Sequence, residues 1–364
     1  MHLKAALLSI PLSALVLSDG RPGHFNLADG IVAAAGRLRP LAVTRIEVRR
    51  GHWPGDVVAA WSNAGVAPAR LLRTVYGLDA ADLKPASLVV SAGAETLGAN
   101  IACARLLGAA NVFYGSLRRF RPDGFSLTLT SYPAFGQRLR HAFALKPSPS
   151  AATARLQRAG RPASPPRTLA LLVGGPSGES DYGGDDWASM LQLIEAMAAG
   201  GLRWLVSNSR RTPAALSDRL ADLSRGTSPA IAQFSDTRRT TSASLAGILA
   251  AADAAVVTDE SSSMVSDAVA AGLPVVGIAP KHHRLTANER DYRAHLMAKR
   301  WYRALPLDGL TPARLLGAHA ELLPLAEDPV GPLAALLAER LPHLFAAADQ
   351  AVTVRPPGQP SRPA

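Results

Sequence analysis

The sequence predicts two doubly wound α/β domains that face each other across a cleft. The chain has 364 residues. This is too long for one ordinary domain and fits two domains of about 150 to 180 residues each. Short runs rich in Val, Leu and Ala recur, and each precedes a polar turn and a helical pattern, which is typical of parallel βαβ units. Residues 147–167 interrupt this rhythm with dense Pro, Ser and Arg, so no core strand or long helix is expected there.

Each side of this break carries its own series of predicted strands. In the first half the strands are 13–17, 41–46, 88–91, 111–114 and 126–129. In the second half they are 168–173, 203–207, 231–234, 254–258 and 275–278. We therefore predict an N-terminal Rossmann-like domain at 12–146, a linker at 147–167, a C-terminal Rossmann-like domain with closing helices at 168–350, and a disordered tail at 351–364.

The charge balance favours anionic partners. The formal net charge is +11 and is carried almost wholly by arginine, since lysine occurs only at positions 4, 84, 146, 281 and 299. The planar guanidinium group suits phosphate, so a phosphate-bearing ligand or an anionic membrane face fits this charge. Alternatively, a coding bias scatters arginine over the surface. No basic run interleaved with aromatic residues occurs, so nucleic acid is not expected as a partner.

Cysteine content and hydropathy indicate a cytoplasmic protein. The single cysteine, Cys103, excludes an intramolecular disulfide and a multi-cysteine zinc site. We interpret residues 12–17 as the first buried strand, preceded by a loose extension rather than a cleavable signal peptide. No apolar run approaches the roughly 18 residues that a membrane span requires.

The segment 253–280 is the most informative part of the chain. A buried strand ends at Thr258, a polar turn follows, and a helix begins whose first amides lack partners and are available to an anion. Hydroxyl donors in this turn allow a diphosphate to be held without a metal, and Asp267 lies where it can meet a ribose hydroxyl pair. Alternatively, the serines cap the helix and Asp267 offsets its dipole. The candidate ligand-binding residues are Glu260, Ser261, Ser262, Ser263 and Asp267.

Two further turns follow predicted strands of the second half. The first contains Gly174, Gly175 and Ser177, where glycine allows backbone amides to approach a phosphate, although such a turn is as often a simple connection. The second contains paired arginines that suit two phosphoryl groups. Its candidate binding residues are Ser209, Arg210, Arg211 and Thr212. All three turns follow strand carboxyl ends, where this architecture places ligands.

The first half supplies candidate catalytic bases. The turn SDGRPGH follows the first strand, and its His24 is suited to take a proton from an attacking hydroxyl. Asp19 either orients that imidazole or acts as the base itself. Alternatively, the turn caps a helix and His24 faces solvent. Glu95, at the end of another predicted strand, is a second candidate base.

Other chemistries lack their motifs. The G-x-S-x-G elbow of serine esterases and the P-loop of ATPases are both absent. The pair His282 and His283 lacks a spaced carboxylate or cysteine partner, so we interpret it as a phosphate contact or surface rather than a zinc site. No metal site is expected.

Five segments, SDGRPGH, VSAG, LLVGGPSG, SNSRRTP and TDESSSMVSDAVAAGLPV, resemble in order and spacing the elongated-mitochondria family, which is named after a plant mitochondrial-fission factor. The likeness spans about residues 12 to 300. Bacterial members are regarded as glycosyltransferases, some linked to lipopolysaccharide or lipooligosaccharide core assembly. The last segment is also similar to the donor-binding region of GT-B glycosyltransferases, in which a Glu usually stands where this chain has Asp267.

The resemblance implies a GT-B-like, metal-independent, inverting glycosyltransferase. Its donor would be a nucleotide sugar, with no other cofactor, and its acceptor a saccharide or lipid-linked hydroxyl compound of the cell envelope. With such an acceptor, the arginine surface would contact the inner membrane peripherally. The alternatives are a non-catalytic adaptor that recruits a partner to a membrane, and a nucleotide-sugar epimerase on the same scaffold.

Overall fold

The computed structural model describes residues 11–158, 166–177, 180–225, 227, 229–239 and 244–345, and the first half of the chain forms a six-stranded parallel sheet. Its strands lie in the order β2-β1-β3-β4-β5-β6. They are β1 (Leu12–Ser18), β2 (Leu41–Glu47), β3 (Leu88–Ala92), β4 (Ala110–Tyr114), β5 (Leu127–Thr130) and β6 (His141–Phe143). The strand order reverses direction between β1 and β3, so the turn after β1 opens at a topological switch point.

The second half forms another six-stranded parallel sheet. Its members are β7 (Thr168–Leu172), β9 (Arg203–Ser207), β10 (Ile231–Ser235), β11 (Ala254–Thr258), β12 (Val275–Ala279) and β14 (Tyr302–Pro306), in the order β10-β9-β7-β11-β12-β14. Two short strands, β8 (Ser180–Asp181) and β13 (His282–His283), form a separate antiparallel pair. The switch point of this sheet lies between β7 and β11, so the turns after these two strands open side by side.

Helices cover both faces of both sheets. In the first half they are α1 (Pro22–Gly36), α2 (Gly55–Asn63), α3 (Pro68–Leu71), α4 (Leu97–Leu107) and α5 (Pro133–Gly136). Those that follow are α6 (Pro149–Arg158), α7 (Gly184–Ala199), α8 (Ala214–Leu223), α9 (Leu245–Ala251), α10 (Ser262–Ala270), α11 (Ala287–Ala298), α12 (Pro312–Ala320), α13 (Val330–Arg340) and α14 (Pro342–Phe345).

Two-sided burial explains why the strands are apolar throughout. In β1, Leu15 and Leu17 face α2 and α4, whereas Ala14 and Val16 face α1 and α13. Every residue of β3, β4 and β11 is buried. Continuous Val and Leu runs of this kind form parallel strands that are covered on both sides. The predicted fold class is confirmed.

The segment 147–167 contains a helix that the composition does not predict. Pro149 stands at the start of α6, where proline is tolerated, and Ala, Leu, Gln and Arg after it favour a helix. Arg155 of this helix donates to the Ala270 carbonyl at the end of α10 (3.1 Å) and to the Ala326 carbonyl (3.0 Å). The expectation of no long helix here is therefore wrong, and α6 is fastened to the second domain.

The last described helices pack on the first domain rather than the second. Val330, Leu333 and Leu337 of α13 belong to the core formed by Ala28 and Ile31 of α1. Arg37 and Asp328 form an ion pair beside this contact. The assignment of 168–350 to one C-terminal domain is thus corrected, because the apolar stripe of α13 completes a face of the first sheet. The predicted tail at 351–364 and the extension before residue 11 lie outside the described residues.

Within the described part of the chain, no helix is both long enough and apolar enough to cross a membrane.

Candidate functional site

A cavity of about 370 Å³ lies between the two domains. The first domain contributes the start of α1, the second contributes the turn after β11, and the connecting segment crosses between them. Its lining residues are Gly23, His24, Asn26, Leu27, Lys146, Pro147, Arg211, Glu260, Ser261, Ser262, Ser263 and Asp267. Turns that are far apart in sequence thus meet at one point, because both switch points face the cleft.

A histidine and a buried aspartate form a pair on the first-domain wall. His24 Nδ1 lies 2.7 Å from Asp19 Oδ2, and the Asp19 side chain is 2% exposed while that of His24 is 32% exposed. The second oxygen, Oδ1, accepts the Arg21 amide at 3.1 Å. With Nδ1 facing the carboxylate, Nε2 of His24 is left for a ligand proton. The contact with Asp19 therefore fixes the orientation of the imidazole ring.

Gly93 packs against this pair from the end of the neighbouring strand. It follows β3 and has a φ of +91°. A Cβ at this position would lie 2.2 Å from His24 Nδ1 and 2.8 Å from Asp19 Oδ2. The glycine of the VSAG segment is therefore required by the packing of the histidine–aspartate pair.

Glu95, the other candidate base, is paired with an arginine of the first domain. Its carboxylate pairs with Arg50 at 2.9 Å, and its backbone carbonyl accepts the Tyr76 hydroxyl at 3.2 Å. It is not among the residues that line the cavity. The carboxylate of Glu95 is therefore engaged by Arg50 in the first domain.

The N-terminus of α10 opens into the cavity. Ser261 is the N-cap, but its side chain makes no capping hydrogen bond. The Ser261 amide donates to the Thr258 carbonyl at 3.2 Å, and the next such bond is donated by Val265 to the Ser261 carbonyl at 3.0 Å. The amides of residues 262–264 therefore point out of the helix end with its partial positive charge, as an anion site requires.

The hydroxyl groups of the three serines differ in availability. The Ser262 hydroxyl donates to Glu289 of α11 and accepts from Arg293 Nη1 at 3.1 Å. Ser261 is buried, and Ser263 is exposed with its hydroxyl 3.4 Å from that of Ser261. Ser263 is thus the serine whose hydroxyl is most available to a ligand.

A buried aspartate fixes the turn that carries this helix end. Asp259 accepts Arg293 Nε at 3.1 Å, pairs with His283 Nε2 at 2.9 Å and accepts the Tyr302 hydroxyl. Burial acts to raise the pKa of Asp259, but the His283 hydrogen bond and the Arg293 charge outweigh it and hold the pKa below its usual value. No sequence motif indicates this network. Both ring nitrogens of His283 are engaged, since Ser180 Oγ lies 2.6 Å from Nδ1, whereas His282 is exposed at the surface as expected.

The glycine turn after β7 does not offer free amides. The Gly174 amide donates to Thr258 Oγ1 at 2.7 Å, and the Gly175 amide donates to Glu260 Oε1 at 2.9 Å. A Cβ on Gly175 would lie 2.1 Å from the Arg211 carbonyl oxygen. In this structure protein groups therefore occupy both amides, and the glycines allow close packing between the turns. Ser177 bonds through its amide to the Ser180 carbonyl (2.9 Å) and does not line the cavity.

One of the paired arginines reaches the cavity. Arg211 donates from Nη1 to the Gly175 carbonyl (3.1 Å) and from Nη2 to Glu260 Oε1 (3.2 Å). Arg210 is exposed and lies off the cavity wall. Thr212 donates to the Val173 carbonyl at 2.9 Å and accepts the Ser209 amide at 2.9 Å, so Ser209 and Thr212 hold the turn together.

Lys146 and Asp267 lie where the chain crosses between the domains. Burial raises the pKa of Asp267 to about 6, although a hydrogen bond from Ser148 and the charge of Lys146 oppose the rise. Burial also lowers the pKa of Lys146, while Glu289 and Asp267 act to raise it. No motif in the sequence marks Lys146. The chain has only five lysines, and the position of this one directly before the Pro-rich segment is a signal that could have identified it. Among the described residues, no cluster of His, Cys, Asp or Glu is arranged to hold a metal ion.

Two facing Rossmann-like domains with a polar cavity at both switch points define a protein of the GT-B fold. Residues 22–329 match the model of the family described as Mitochondrial fission ELM1, and the chain belongs to that family. The resemblance seen in the sequence motifs is thereby confirmed.

Solved structures share this architecture at low sequence identity. A proposed UDP-N-acetylglucosamine 2-epimerase from Listeria monocytogenes matches with a TM-score of 0.55 and 10% identity, over 91% of this chain and 96% of that chain. The glycotransferase of kitacinnamycin matches with a TM-score of 0.48 and 14% identity, over 93% and 96%. MurG of Acinetobacter baumannii gives 0.45 and 14%, over 91% and 95%. No curated protein sequence matches the chain significantly.

Replacing Gly93 by Ala is expected to destabilise the protein by at least ~2 kcal/mol, because the new Cβ meets the Asp19–His24 pair at a positive φ. Urea unfolding measures the change. The matched control is Gly23→Ala in α1, where a Cβ meets nothing within 4 Å and stability is retained. Equal stability of the two variants would contradict the tight packing of Gly93 on the pair.

Proposed function

We propose that this chain transfers a sugar from a nucleotide diphosphate donor to a hydroxyl group of an acceptor. One observation carries the proposal: His24, which is paired with Asp19, and the open N-terminus of α10 line the same cavity from opposite domains. A base for the acceptor and a seat for an anionic leaving group are the two halves that such a transfer needs.

The donor side is proposed to lie on the second domain and the crossing segment. The diphosphate would bind the amides of residues 262–264 and the Ser263 hydroxyl, with Arg211 and Lys146 supplying positive charge. Asp267, one turn into α10, would accept hydrogen bonds from the ribose hydroxyls. These contacts support a donor held without a metal ion.

The reaction is proposed as a direct, inverting displacement. The acceptor oxygen forms a bond to the anomeric carbon as the bond from that carbon to the diphosphate oxygen breaks, and His24 Nε2 takes the acceptor proton. Asp19 stabilises the resulting imidazolium, and the amides of α10 with the two cations stabilise the departing diphosphate. A positioned base of this kind contributes roughly 10²- to 10⁴-fold to the rate.

We further propose that the acceptor is a cell-envelope saccharide linked to lipid, as in lipopolysaccharide or lipooligosaccharide core assembly. The formal net charge of +11 supports this acceptor, since an arginine-rich surface favours contact with an anionic membrane face. A cytoplasmic enzyme that contacts the inner membrane peripherally would have access to both the nucleotide sugar and the lipid.

The catalytic assignment is tested with a panel of nucleotide sugars, by following release of the nucleotide with and without acceptor. His24→Ala is expected to lower turnover by about 10²- to 10⁴-fold while donor affinity changes little, because the base contacts the acceptor. The turnover of Asp19→Asn is expected to lie between that of His24→Ala and that of the wild type. His52→Ala, which removes an exposed histidine, serves as the control and retains activity.

Other outcomes favour the alternatives. Donor binding without turnover in the wild-type protein would favour the adaptor. Interconversion of nucleotide-sugar epimers without an acceptor would favour the epimerase. Equal turnover by wild type and His24→Ala would remove the base from this mechanism.

Donor affinity is expected to fall about three- to tenfold between pH 7.5 and pH 5. Since the pKa of Asp267 is raised to about 6, its carboxylate is ionised above this pH and protonated below it, and the protonated form accepts fewer ribose hydrogen bonds. A nucleotide sugar is the suitable ligand, because both phosphates are esterified and its charge stays constant over this range.

The measurement is titration calorimetry in the His24→Ala background, which removes the imidazole from the cavity. Asp267→Asn in that background is expected to bind more weakly at pH 7.5 and to show no pH dependence. The same change of donor affinity with pH in both proteins would exclude Asp267 as the group responsible for that change.

A further inference from the structure

The Glu260 side chain lies in an unusual position on the cavity wall. Its carboxylate is 0% exposed, and its Oε1 accepts the Gly175 amide at 2.9 Å and Arg211 Nη2 at 3.2 Å. A Cβ on Gly174 would lie 1.7 Å from the same oxygen. A backbone amide next to glycine together with a guanidinium group is the set of ligands that proteins offer to a phosphate oxygen.

The other oxygen of this carboxylate is left without a partner. Oε2 of Glu260 is buried and makes no hydrogen bond among the described residues. The hydroxyl of the neighbouring Tyr182 donates instead to the Ile278 carbonyl oxygen at 2.9 Å. A buried carboxylate oxygen without a donor is unfavourable. Burial raises the pKa of Glu260, while the Gly175 amide, the Arg211 charge and the neighbouring Thr258 and Tyr182 hydroxyls act to lower it.

We propose that Glu260 is an internal occupant of a phosphate seat formed by the Gly175 amide and Arg211, and that the donor diphosphate displaces it. The inference rests on the proposed function, because it places the second phosphoryl group of the donor beside the one held by α10. Ser261, the N-cap of α10, directly follows Glu260 in sequence, so the two sites are adjacent.

Displacement has a consequence for selectivity. A ligand must replace the hydrogen bond and the ion pair that Glu260 gives up, and only a ligand with a second anionic group can do so while also binding the helix amides. A nucleoside monophosphate occupies one site and leaves Glu260 in place. A diphosphate occupies both, so the seat favours ligands with a diphosphate.

A permanent clamp on Arg211 explains the position of Glu260 less well. In a clamp that stays closed, both oxygens of a buried carboxylate are expected to be paired. Here one oxygen is unpaired and the carboxylate lines the cavity. The two readings predict opposite effects of removing the charge: displacement predicts tighter binding of a diphosphate, whereas a clamp predicts weaker binding.

The test is titration calorimetry of the full chain with inorganic pyrophosphate, a probe that needs no nucleotide base or sugar. Glu260→Gln keeps the size of the side chain and an oxygen that accepts the Gly175 amide, but removes the competing charge. We expect pyrophosphate to bind this variant about tenfold more tightly than the wild type. Glu339→Gln changes the net charge equally at an exposed position of α13 and is expected to bind like the wild type.

Affinity of Glu260→Gln equal to or below that of the wild type would overturn the inference, as would the absence of pyrophosphate binding in both proteins. If Glu260→Gln fails to fold in a thermal melt, Glu260→Ala is measured with the same expectation. A crystal structure of the wild-type complex gives an independent answer: Glu260 has left the Gly175 amide, or pyrophosphate is bound with Glu260 unmoved and the inference is wrong.

Failure of this inference is distinguishable from failure of the proposed function. Sugar transfer by the wild-type protein together with unchanged pyrophosphate affinity in Glu260→Gln removes only the displacement of Glu260. Tighter pyrophosphate binding by the variant without transfer of any sugar removes the reaction and leaves the seat.

Discussion

The buried carboxylate of Asp259 holds the turn on which the donor side of the cavity depends. It joins β11 to β13, α11 and β14 through His283, Arg293 and the Tyr302 hydroxyl. Removing one partner from a buried ion pair of this kind leaves an uncompensated charge, so the arrangement is costly to break. Because the turn is fixed from behind, the amides at the start of α10 face the cavity without support from a ligand. The second domain therefore directs these amides into the cavity, and the chemistry of the cavity depends on the groups of the first domain that face them.

The groups that face this helix end come from the first domain, so the site exists only while the two domains keep their relative positions. The chain crosses between them at Lys146–Pro147 and again before α13, which returns to pack on α1. A Cβ on Gly30 of α1 would lie 2.4 Å from the Pro147 side chain, so the first crossing is in close contact with the helix that begins beside His24. Arg155 of α6 joins the end of α10 to the second crossing. Both crossings are thus fastened to the helices that carry the site residues.

The fold follows from the sequence because buried parallel strands have a local signature, and all ten predicted strands correspond to strands of the two sheets. The convergence of His24, Arg211 and Ser262 also follows, since strand carboxyl ends meet at one edge. Side-chain partners do not follow. Glu95 and Glu260 are both acidic residues in polar turns, yet one pairs with Arg50 and the other pairs with Arg211. The sequence pattern of the β7 turn predicts phosphate contacts by its glycines, whereas their amides are occupied by groups about 85 residues away in the sequence. Which long-range partner reaches a turn is set by tertiary packing, and the same applies to Lys146 and α13.

The central claim is that one cavity holds a nucleotide diphosphate on the α10 amides within reach of His24. A crystal structure with a bound nucleotide diphosphate tests it most directly. The account predicts a phosphate oxygen within hydrogen-bond distance of the amides of residues 262–264, with Nε2 of His24 facing the open end of the diphosphate. A nucleotide bound outside the interdomain cavity, or with its base rather than its phosphates at the start of α10, would contradict it.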